Sequence, residues 1–96
     1  MKLQFSSATQ LELAEAVRFY ENQQDGLGLR FLTEVENTVA RIHKNPETWS
    51  RISRRLQRSN VHKFPFALYY HHTKSETLIV AVADLRRDPR RWEDIL

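Results

Sequence analysis

Apolar residues concentrate in two stretches of the last third of the chain. Residues 66–72 read FALYYHH and residues 77–83 read TLIVAVA, with the polar residues 73–76 between them. A polar link of this length closes an antiparallel hairpin. Alternate residues of a strand point to opposite faces, and the second stretch is apolar at successive positions. Because such a strand must be covered on both faces, we predict that it lies centrally in a sheet.

Three- and four-residue spacing upstream predicts two amphipathic helices. One face of the first helix is apolar and the other is charged. The apolar positions are Leu13, Ala16, Val17 and Tyr20, and the charged positions expected to face away are Glu12, Glu15, Arg18 and Glu21. Ser7 with Gln10, and Thr9 with Glu12, have the spacing of a capping box, which predicts that the helix starts here.

The second helix follows closely, since the two glycines of the chain, Gly26 and Gly28, mark the turn between the helices. Its apolar stripe consists of Phe31, Leu32, Val35, Val39 and Ile42. Asn45-Pro46 ends it, because proline disfavours helical geometry in the residue before it. So short a link predicts an antiparallel helical hairpin.

The remaining segments complete an α+β fold. Residues 2–5 alternate and predict a short first strand, and part of the stretch 54–64 predicts a strand beside the C-terminal hairpin. Asp88-Pro89 is typical of a helix start, after which Trp92 would fold back onto the sheet. The predicted order is β-α-α-β-β-β, an antiparallel sheet covered on one face by a helical hairpin.

Length and composition exclude several classes of protein. A chain of 96 residues, with 41% hydrophobic and 28% charged residues, is expected to form one globular domain, residues 1–96. No apolar run is long enough for a transmembrane helix or a secretory signal. Cysteine is absent, which excludes disulfides and thiolate metal ligands. We therefore expect a cytoplasmic protein without a membrane interaction.

Positive charge is concentrated in the C-terminal half. Residues 1–50 contain five Lys/Arg and seven Asp/Glu, a balance of −2, whereas residues 51–96 contain ten and five, a balance of +5. This asymmetry favours a polyanion or an acidic protein as the partner of the sheet half. A solvated basic surface without a specific ligand is the alternative interpretation.

Four arginines follow the predicted central strand directly. They are Arg86, Arg87, Arg90 and Arg91. A guanidinium group binds phosphate or carboxylate through its planar fork, and Asp84 and Asp88 are close enough in sequence to orient some of these groups. The cluster is therefore either an anion-binding surface or an exposed salt-bridge network.

Metal and cofactor chemistry is not indicated by the sequence. His71 and His72 are adjacent, so in a strand they point to opposite faces and cannot share one metal ion. No HxxxH, HExxH or carboxylate cluster is present, and neither is a glycine-rich phosphate loop or a GxSxG motif. His62 or His72 is a candidate general acid or base, although a surface histidine is the commoner outcome.

Four short motifs occur in order along the chain. They are Arg30-Phe31-Leu32 at the start of the second helix, Asn45-Pro46 at its end, Lys63-Phe64-Pro65-Phe66 before the strand that contains Tyr70, and Leu85-Arg86-Arg87-Asp88-Pro89-Arg90-Arg91-Trp92 after the last strand. Together they resemble the RelE/ParE superfamily of bacterial type II toxin–antitoxin toxins over nearly the whole chain. The last motif, with paired arginines, Asp-Pro and an aromatic residue, is the strongest.

The resemblance implies one of two activities on the same fold. ParE-like members inhibit DNA gyrase, whereas RelE-like members cut mRNA on the ribosome with basic residues and a late aromatic residue instead of a metal. Arg58 and Arg86 match basic positions of the RelE-like group, but its strand-three arginine is Ala67 here and its late tyrosine is Trp92. Because an indole cannot exchange a proton as a phenol can, the RNase set is incomplete.

These departures favour the ParE-like branch. The expected protein is a growth-inhibiting toxin that acts on DNA gyrase. Its target-binding surface would be formed by Arg86, Arg87, Arg90 and Trp92. The resemblance also implies a cognate antitoxin, which would cover the basic residues with an acidic and apolar segment in a hetero-oligomer. It implies no cofactor and no metal.

Two other functions stay open on the sequence. In a ribosome-dependent mRNA endonuclease, Arg58, Lys63 and Arg86 would stabilise the charge at the scissile phosphate, and His62 or His72 would move the proton. The third interpretation is a non-toxic binding module that keeps the fold.

Overall fold

The elements follow the predicted order, with one additional short strand, in a computed structural model that describes residues 2–87. The helices are α1 (Ser7–Gln23) and α2 (Leu27–Lys44). The strands are β1 (Lys2–Phe5), β2 (Ser50–Arg51), β3 (Gln57–Asn60), β4 (Phe66–His72) and β5 (Glu76–Asp84). The α+β fold class is confirmed. The predicted helix start at Asp88-Pro89 and the position of Trp92 lie outside the described residues.

A hydroxyl cap begins α1 directly after β1. Ser6 Oγ accepts a hydrogen bond from the backbone N–H of Thr9 at 3.2 Å. The N–H of Ser6 itself donates to the carbonyl of Ile79 at 3.2 Å, so the same residue ends the strand pairing. The helix therefore starts at Ser7, within the segment that the capping-box spacing predicted.

Both glycines are needed for the turn between the helices. Gly26 caps α2 with φ of 86°, in the left-handed region that favours glycine. A Cβ on Gly28 would lie 2.7 Å from the carbonyl oxygen of Val17, so α2 passes α1 at close range. The carboxylate of Glu21 accepts hydrogen bonds from the N–H groups of Gly26 at 2.9 Å and Gly28 at 3.0 Å. A charged residue predicted to face solvent thus fixes the turn.

The sheet has the strand order β1-β5-β4-β3-β2. β5 lies between β1 and β4, which confirms the central position predicted for the apolar run. The pairs formed by β2 to β5 are antiparallel, but β1 pairs with β5 in parallel, so the sheet is mixed. A parallel pair needs a long crossover connection, and the helical hairpin that follows β1 begins that connection.

Alternation along the strands divides the apolar side chains into two clusters, one on each face of the sheet. The larger cluster lies beneath the helices and contains Ala16, Tyr20, Phe31, Val35, Ile42, Val61, Phe66, Leu68, Tyr70, Ile79 and Val82. The smaller cluster, on the other face, contains Leu56, Ala67, Tyr69, Ala81 and Ala83. Adjacent Tyr69 and Tyr70 therefore face opposite sides, as their position in one strand predicts. Within residues 2–87, no helix is long and apolar enough to cross a bilayer.

Hydrogen bonds to one carbonyl hold the chain after α2 against the sheet. The Tyr70 hydroxyl donates to the carbonyl of Pro46 at 2.6 Å, and the side-chain amide of Gln57 donates to the same oxygen at 2.9 Å. Gln57 also donates to the carbonyl of Trp49 at 3.2 Å. Because Gln57 and Tyr70 are paired in β3 and β4, the end of α2 has a fixed position over these strands.

Candidate functional site

The end of β5 and one face of α1 border a cleft of about 440 Å³, which we call the β5 cleft. It is lined by Glu12, Glu15, Ala16, Phe19, Phe66, Val82, Asp84, Arg86 and Arg87. Two of the four predicted target-binding residues, Arg86 and Arg87, therefore line one cleft. The other two, Arg90 and Trp92, lie outside the described residues.

The β5 cleft exists because β1 is shorter than β5. β1 pairs only with residues 76–79, and the chain then turns into α1, so residues 80–84 have no described strand on that side. The N–H of Val82 donates instead to Oε1 of Glu12 at 3.1 Å. Burial raises the pKa of Glu12, and the bond from Val82 partly offsets this. The prediction that Glu12 faces away is wrong, because the open strand edge draws its carboxylate inward.

Arg86 is held by the carboxylate of Asp84. Its Nε donates to Oδ1 of Asp84 at 3.0 Å and its Nη2 donates to Oδ2 at 2.9 Å, which closes a two-pronged ion pair. This pairing lowers the pKa of Asp84 and raises that of Arg86. The guanidinium carbon of Arg86 also lies 5.9 Å from the centre of the Phe19 ring. Asp84 thus orients Arg86, as its position in the sequence predicts, and the fork of Arg86 is already occupied.

Charges of both signs surround the β5 cleft. Three acidic residues, Glu12, Glu15 and Asp84, line it together with Arg86 and Arg87. Phe19 adds an aromatic ring that is 45% exposed. No carboxylate of residues 2–87 lies within 4.0 Å of the guanidinium nitrogens of Arg87. An apolar floor with mixed charge around it suits a polypeptide surface better than a phosphate group.

A second and smaller cleft, which we call the β3 cleft, lies between the end of α2 and the edge of β3. Its volume is about 170 Å³, and it is lined by Arg41, Trp49, Ser50, Arg58, Ser59, Asn60 and His62. Arg58 and His62 of the candidate RNase set therefore line the same cleft. Lys63 instead forms an ion pair with Glu34 of α2 at 3.7 Å, and Arg86 lines the β5 cleft. The candidate RNase residues Arg58, His62, Lys63 and Arg86 are thus divided between different places.

Among the residues that the structure describes, no carboxylate lines the β3 cleft. In the part of the chain that the structure describes, neither Arg41 nor Arg58 has a carboxylate oxygen within 4.0 Å. One guanidinium nitrogen of Arg41 donates to Thr38 Oγ1 at 3.0 Å. The described lining of the β3 cleft therefore differs from that of the β5 cleft in carrying positive charge alone. Among residues 2–87, no three His, Asp or Glu side chains are grouped as a metal site would require.

Sequence reasoning missed Phe19 and Glu12 in the β5 cleft and Arg41 and Asn60 in the β3 cleft. For the first cleft, the usable signal was a phenylalanine, Phe19, at a position outside the predicted apolar stripe of the first helix. For the second, the signal was the absence of any acidic residue from residues 48–75. Neither signal shows which residues meet, because that depends on the order of the strands.

A helical hairpin on a five-stranded mixed sheet defines the fold class, and the comparison with solved structures identifies it further. A chain of the "Chromosomal ParDE TA system from P. aeruginosa" superposes with a TM-score of 0.74 at 12% sequence identity, covering 88% of this chain and 96% of that chain. The sequence matches no protein-family model and no curated protein. The chain therefore has the RelE/ParE-like fold that its motifs resemble, and at 12% identity the likeness concerns the fold.

Proposed function

We propose that this chain is the toxin of a type II toxin–antitoxin module and inhibits growth by binding DNA gyrase. A fold shared with a chain of a ParDE toxin–antitoxin system supports the toxin class. The arrangement of the β5 cleft is the observation that carries the choice of a protein target. It combines a half-exposed aromatic ring, an oriented arginine and charges of both signs.

These features are those of a surface that binds protein. Aromatic residues and arginine dominate the binding energy of protein interfaces. Arg86 is fixed by Asp84 over Phe19, so little side-chain entropy is lost when a partner binds. The same ion pair makes Arg86 a weaker candidate for stabilising a scissile phosphate, since its fork would first have to leave Asp84. Arg90 and Trp92 are included in the proposed surface because of their positions in the sequence.

The proposal includes a cognate antitoxin. A segment with acidic and apolar residues would cover the basic C-terminal half of the toxin, in a hetero-oligomer. The proposal also includes a cytoplasmic location, since an antitoxin and DNA gyrase would both be met there. A short neighbouring reading frame for a DNA-binding antitoxin would support the toxin class.

Supercoiling by purified gyrase tests the target. We expect the wild-type protein to inhibit it, and the Phe19→Ala/Arg87→Ala variant to need at least about tenfold more protein, since interface anchors contribute about 1–2 kcal/mol each. Leu29→Ala/Arg30→Ala is the matched control, because it removes one exposed apolar residue and one arginine from α2 instead. Unimpaired supercoiling at saturating wild-type protein would remove gyrase as the target. Equal losses of inhibition in both variants would show that the β5 cleft is not the surface that binds gyrase.

An mRNA endonuclease is the second candidate, favoured by the grouping of Arg58 and His62 in a cleft that is lined by no carboxylate of residues 2–87. Mapping of transcript 5′ ends after induction decides it. Codon-spaced cuts that vanish in Arg58→Ala and in Arg86→Ala would support the RNase, and an uncut transcriptome would reject it. Normal growth after verified soluble expression would instead favour a non-toxic binding module.

A further inference from the structure

Exposed apolar residues of α1 border the β5 cleft. Leu11 is 67% exposed and Phe19 is 45% exposed. They lie eight residues apart with Glu15 midway, and residues four apart share one face of a helix. We call Leu11, Glu15 and Phe19 the α1 ridge. Because Glu15 and Phe19 also line the β5 cleft, the ridge and the cleft form one continuous surface.

The floor of the β5 cleft is apolar. Ala16, Phe66 and Val82 line it, and all three belong to the core cluster beneath the helices. The space above this floor exists because residues 80–84 have no described strand on the β1 side. An apolar ridge beside an apolar cleft is the kind of exposed surface that marks a contact with another protein.

Two charged residues of this surface have no ionic partner in the described chain. Glu12 is bonded to the edge of β5, and Asp84 is paired with Arg86. Glu15 and Arg87 are left. Both line the β5 cleft, yet neither has an oppositely charged group of residues 2–87 within 4.0 Å. The surface therefore offers one acidic and one basic group to a partner.

We propose that two copies of this chain associate through this surface, with the α1 ridge of each copy seated in the β5 cleft of the other. A two-fold axis brings identical surfaces together, so every contact occurs twice with exchanged partners. Glu15 of one protomer then faces Arg87 of the other, and Leu11 packs on the apolar floor. A partner of one charge sign would leave one of the two charged groups unmatched, whereas a second copy matches both.

Association of this kind would regulate the surface proposed for the target. Phe19 and Arg87 would lie between the two copies, so the dimer could not use them to bind gyrase. Dilution or capture of the monomer by the target would release the active form. This consequence rests on the proposed function, whereas the dimer itself does not.

Analytical ultracentrifugation over a range of concentrations tests the dimer. We expect the mass to rise from the 11.4 kDa of the monomer towards twice that value between about 1 and 500 µM, since small interfaces bind weakly. Leu11→Ser should weaken association at least about fivefold, because it removes an apolar contact from each copy. Leu29→Ser is the matched control, since Leu29 is 66% exposed on α2, and it should stay within about twofold of the wild type.

Exchange of charge tests the pairing between protomers. Glu15→Arg and Arg87→Glu each place like charges together at this contact, so each variant alone should be monomeric. An equimolar mixture of the two should form dimers, because both contacts then join opposite charges. Glu36→Arg and Arg30→Glu make the same charge changes at exposed positions of α2. Each of these controls should associate within about twofold of the wild type at 0.15 M salt, at about which distant charges are screened.

Three results would overturn the proposal. The first is a wild-type protein that keeps the monomer mass up to about 500 µM, which would leave the β5 cleft to a different protein. The second is equal weakening by Leu11→Ser and Leu29→Ser, since this would show unspecific apolar association. The third is a mixture of Glu15→Arg and Arg87→Glu that stays monomeric although both variants have the circular dichroism of the wild type.

Supercoiling by gyrase separates the dimer from its consequence. Leu11 does not line the β5 cleft, so Leu11→Ser should inhibit gyrase at lower total concentration than the wild type wherever the wild type is mostly dimeric. Equal inhibition by the two proteins at such concentrations would show that the dimer leaves the β5 cleft open, and the proposed interface would be wrong. A wild-type protein without any effect on gyrase would remove that target, and the masses would still decide whether the dimer forms.

Discussion

Within the described part of the chain, the hydroxyl of Tyr20 has no hydrogen-bond partner, although the side chain lies in the core. It is the one buried side-chain polar atom of residues 2–87 in this situation. The ring is well packed, with its centre 5.0 Å from that of Phe31 and 4.9 Å from that of Phe64. A buried polar group without a partner costs about 1–3 kcal/mol. We therefore expect Tyr20→Phe to raise the free energy of unfolding by about 1 kcal/mol, measured by urea denaturation. A loss of stability would show that the hydroxyl is bonded in solution.

Tyr70 has the opposite arrangement and serves as the control for Tyr20. Its hydroxyl donates to the carbonyl of Pro46 at 2.6 Å, and its side chain is fully buried. Tyr70→Phe removes this bond but leaves the amide of Gln57 on the same oxygen. We expect a loss of about 1 kcal/mol in the same urea titration. A neutral result would indicate that Gln57 alone holds the end of α2.

The pKa of the Tyr70 hydroxyl predicts how the free energy of unfolding changes at high pH. Burial raises the pKa of Tyr70 from 10.0 to about 12. Below pH 10 both the folded and the unfolded state keep the proton, so Tyr70 adds no pH dependence. Between pH 10 and 12 the unfolded state ionises first, and stability falls by up to about 3 kcal/mol. Tyr70→Phe should lack this part of the decline. Parallel stability curves for the two proteins above pH 10 would contradict the assignment.

The side to which a residue's side chain points was predictable from the sequence where the helix or strand that contains it determines its surroundings. Tyr69 and Tyr70 alternate in facing because they are neighbours in a strand, and the structure confirms it. Glu12 was not predictable, because helical spacing places it outside the apolar stripe of α1. Its environment is set by β5, 70 residues further along the chain, whose N–H at Val82 needs an acceptor.

At the level of elements, the contact between the helices depends on Gly28. A Cβ there would meet the backbone oxygen of Val17 at 2.7 Å, which cannot be relieved by turning a side chain. Gly28→Ala must push the helices apart, and we expect it to lower the free energy of unfolding by about 2 kcal/mol, measured by urea denaturation. Gly26→Ala is the comparison, since a Cβ at Gly26 meets no atom within 4 Å. Its loss of stability comes only from the left-handed backbone conformation, with φ of 86°, that alanine would have to adopt. That loss should be about 1 kcal/mol. The reverse order of the two losses would show that backbone conformation matters more than the close approach.

The sequence predicted most element boundaries because local chemistry determines them. A hydroxyl cap starts α1, a glycine turn separates the helices, and Asn45-Pro46 ends α2. The parallel pairing of β1 with β5 was not predictable in this way. It joins segments about 74 residues apart, as in the pair of Lys2 with Glu76, and no local pattern encodes such a partner. The two-residue β2 was missed because so short a strand has no periodicity.

For the whole molecule, the sequence predicted a basic half but not its division into two kinds of surface. Among residues 2–87, the arginines that follow β5 share their cleft with Asp84, Glu12 and Glu15, whereas Arg41 and Arg58 beside β3 have no carboxylate within 4.0 Å. The division arises because β5 is central and adjacent to α1, while β3 is near the far edge of the sheet. Strand order is a tertiary property. The family resemblance put Arg58 and Arg86 in one candidate set by matching positions along the chain, which carry no information on strand order.

This uneven charge predicts how the protein binds a polyanion such as heparin. Arg54 and Arg55 are exposed and lie in the acid-free stretch, whereas Arg18 and Arg30 are exposed on the more acidic helical half. Arg54→Gln/Arg55→Gln and Arg18→Gln/Arg30→Gln have the same net charge, yet the first should elute from heparin at distinctly lower salt. Local rather than total charge sets the attraction, because charges separated by more than about 8–10 Å are screened at about 0.10–0.15 M salt. Identical elution of the two variants would mean that heparin senses only the net charge of the protein.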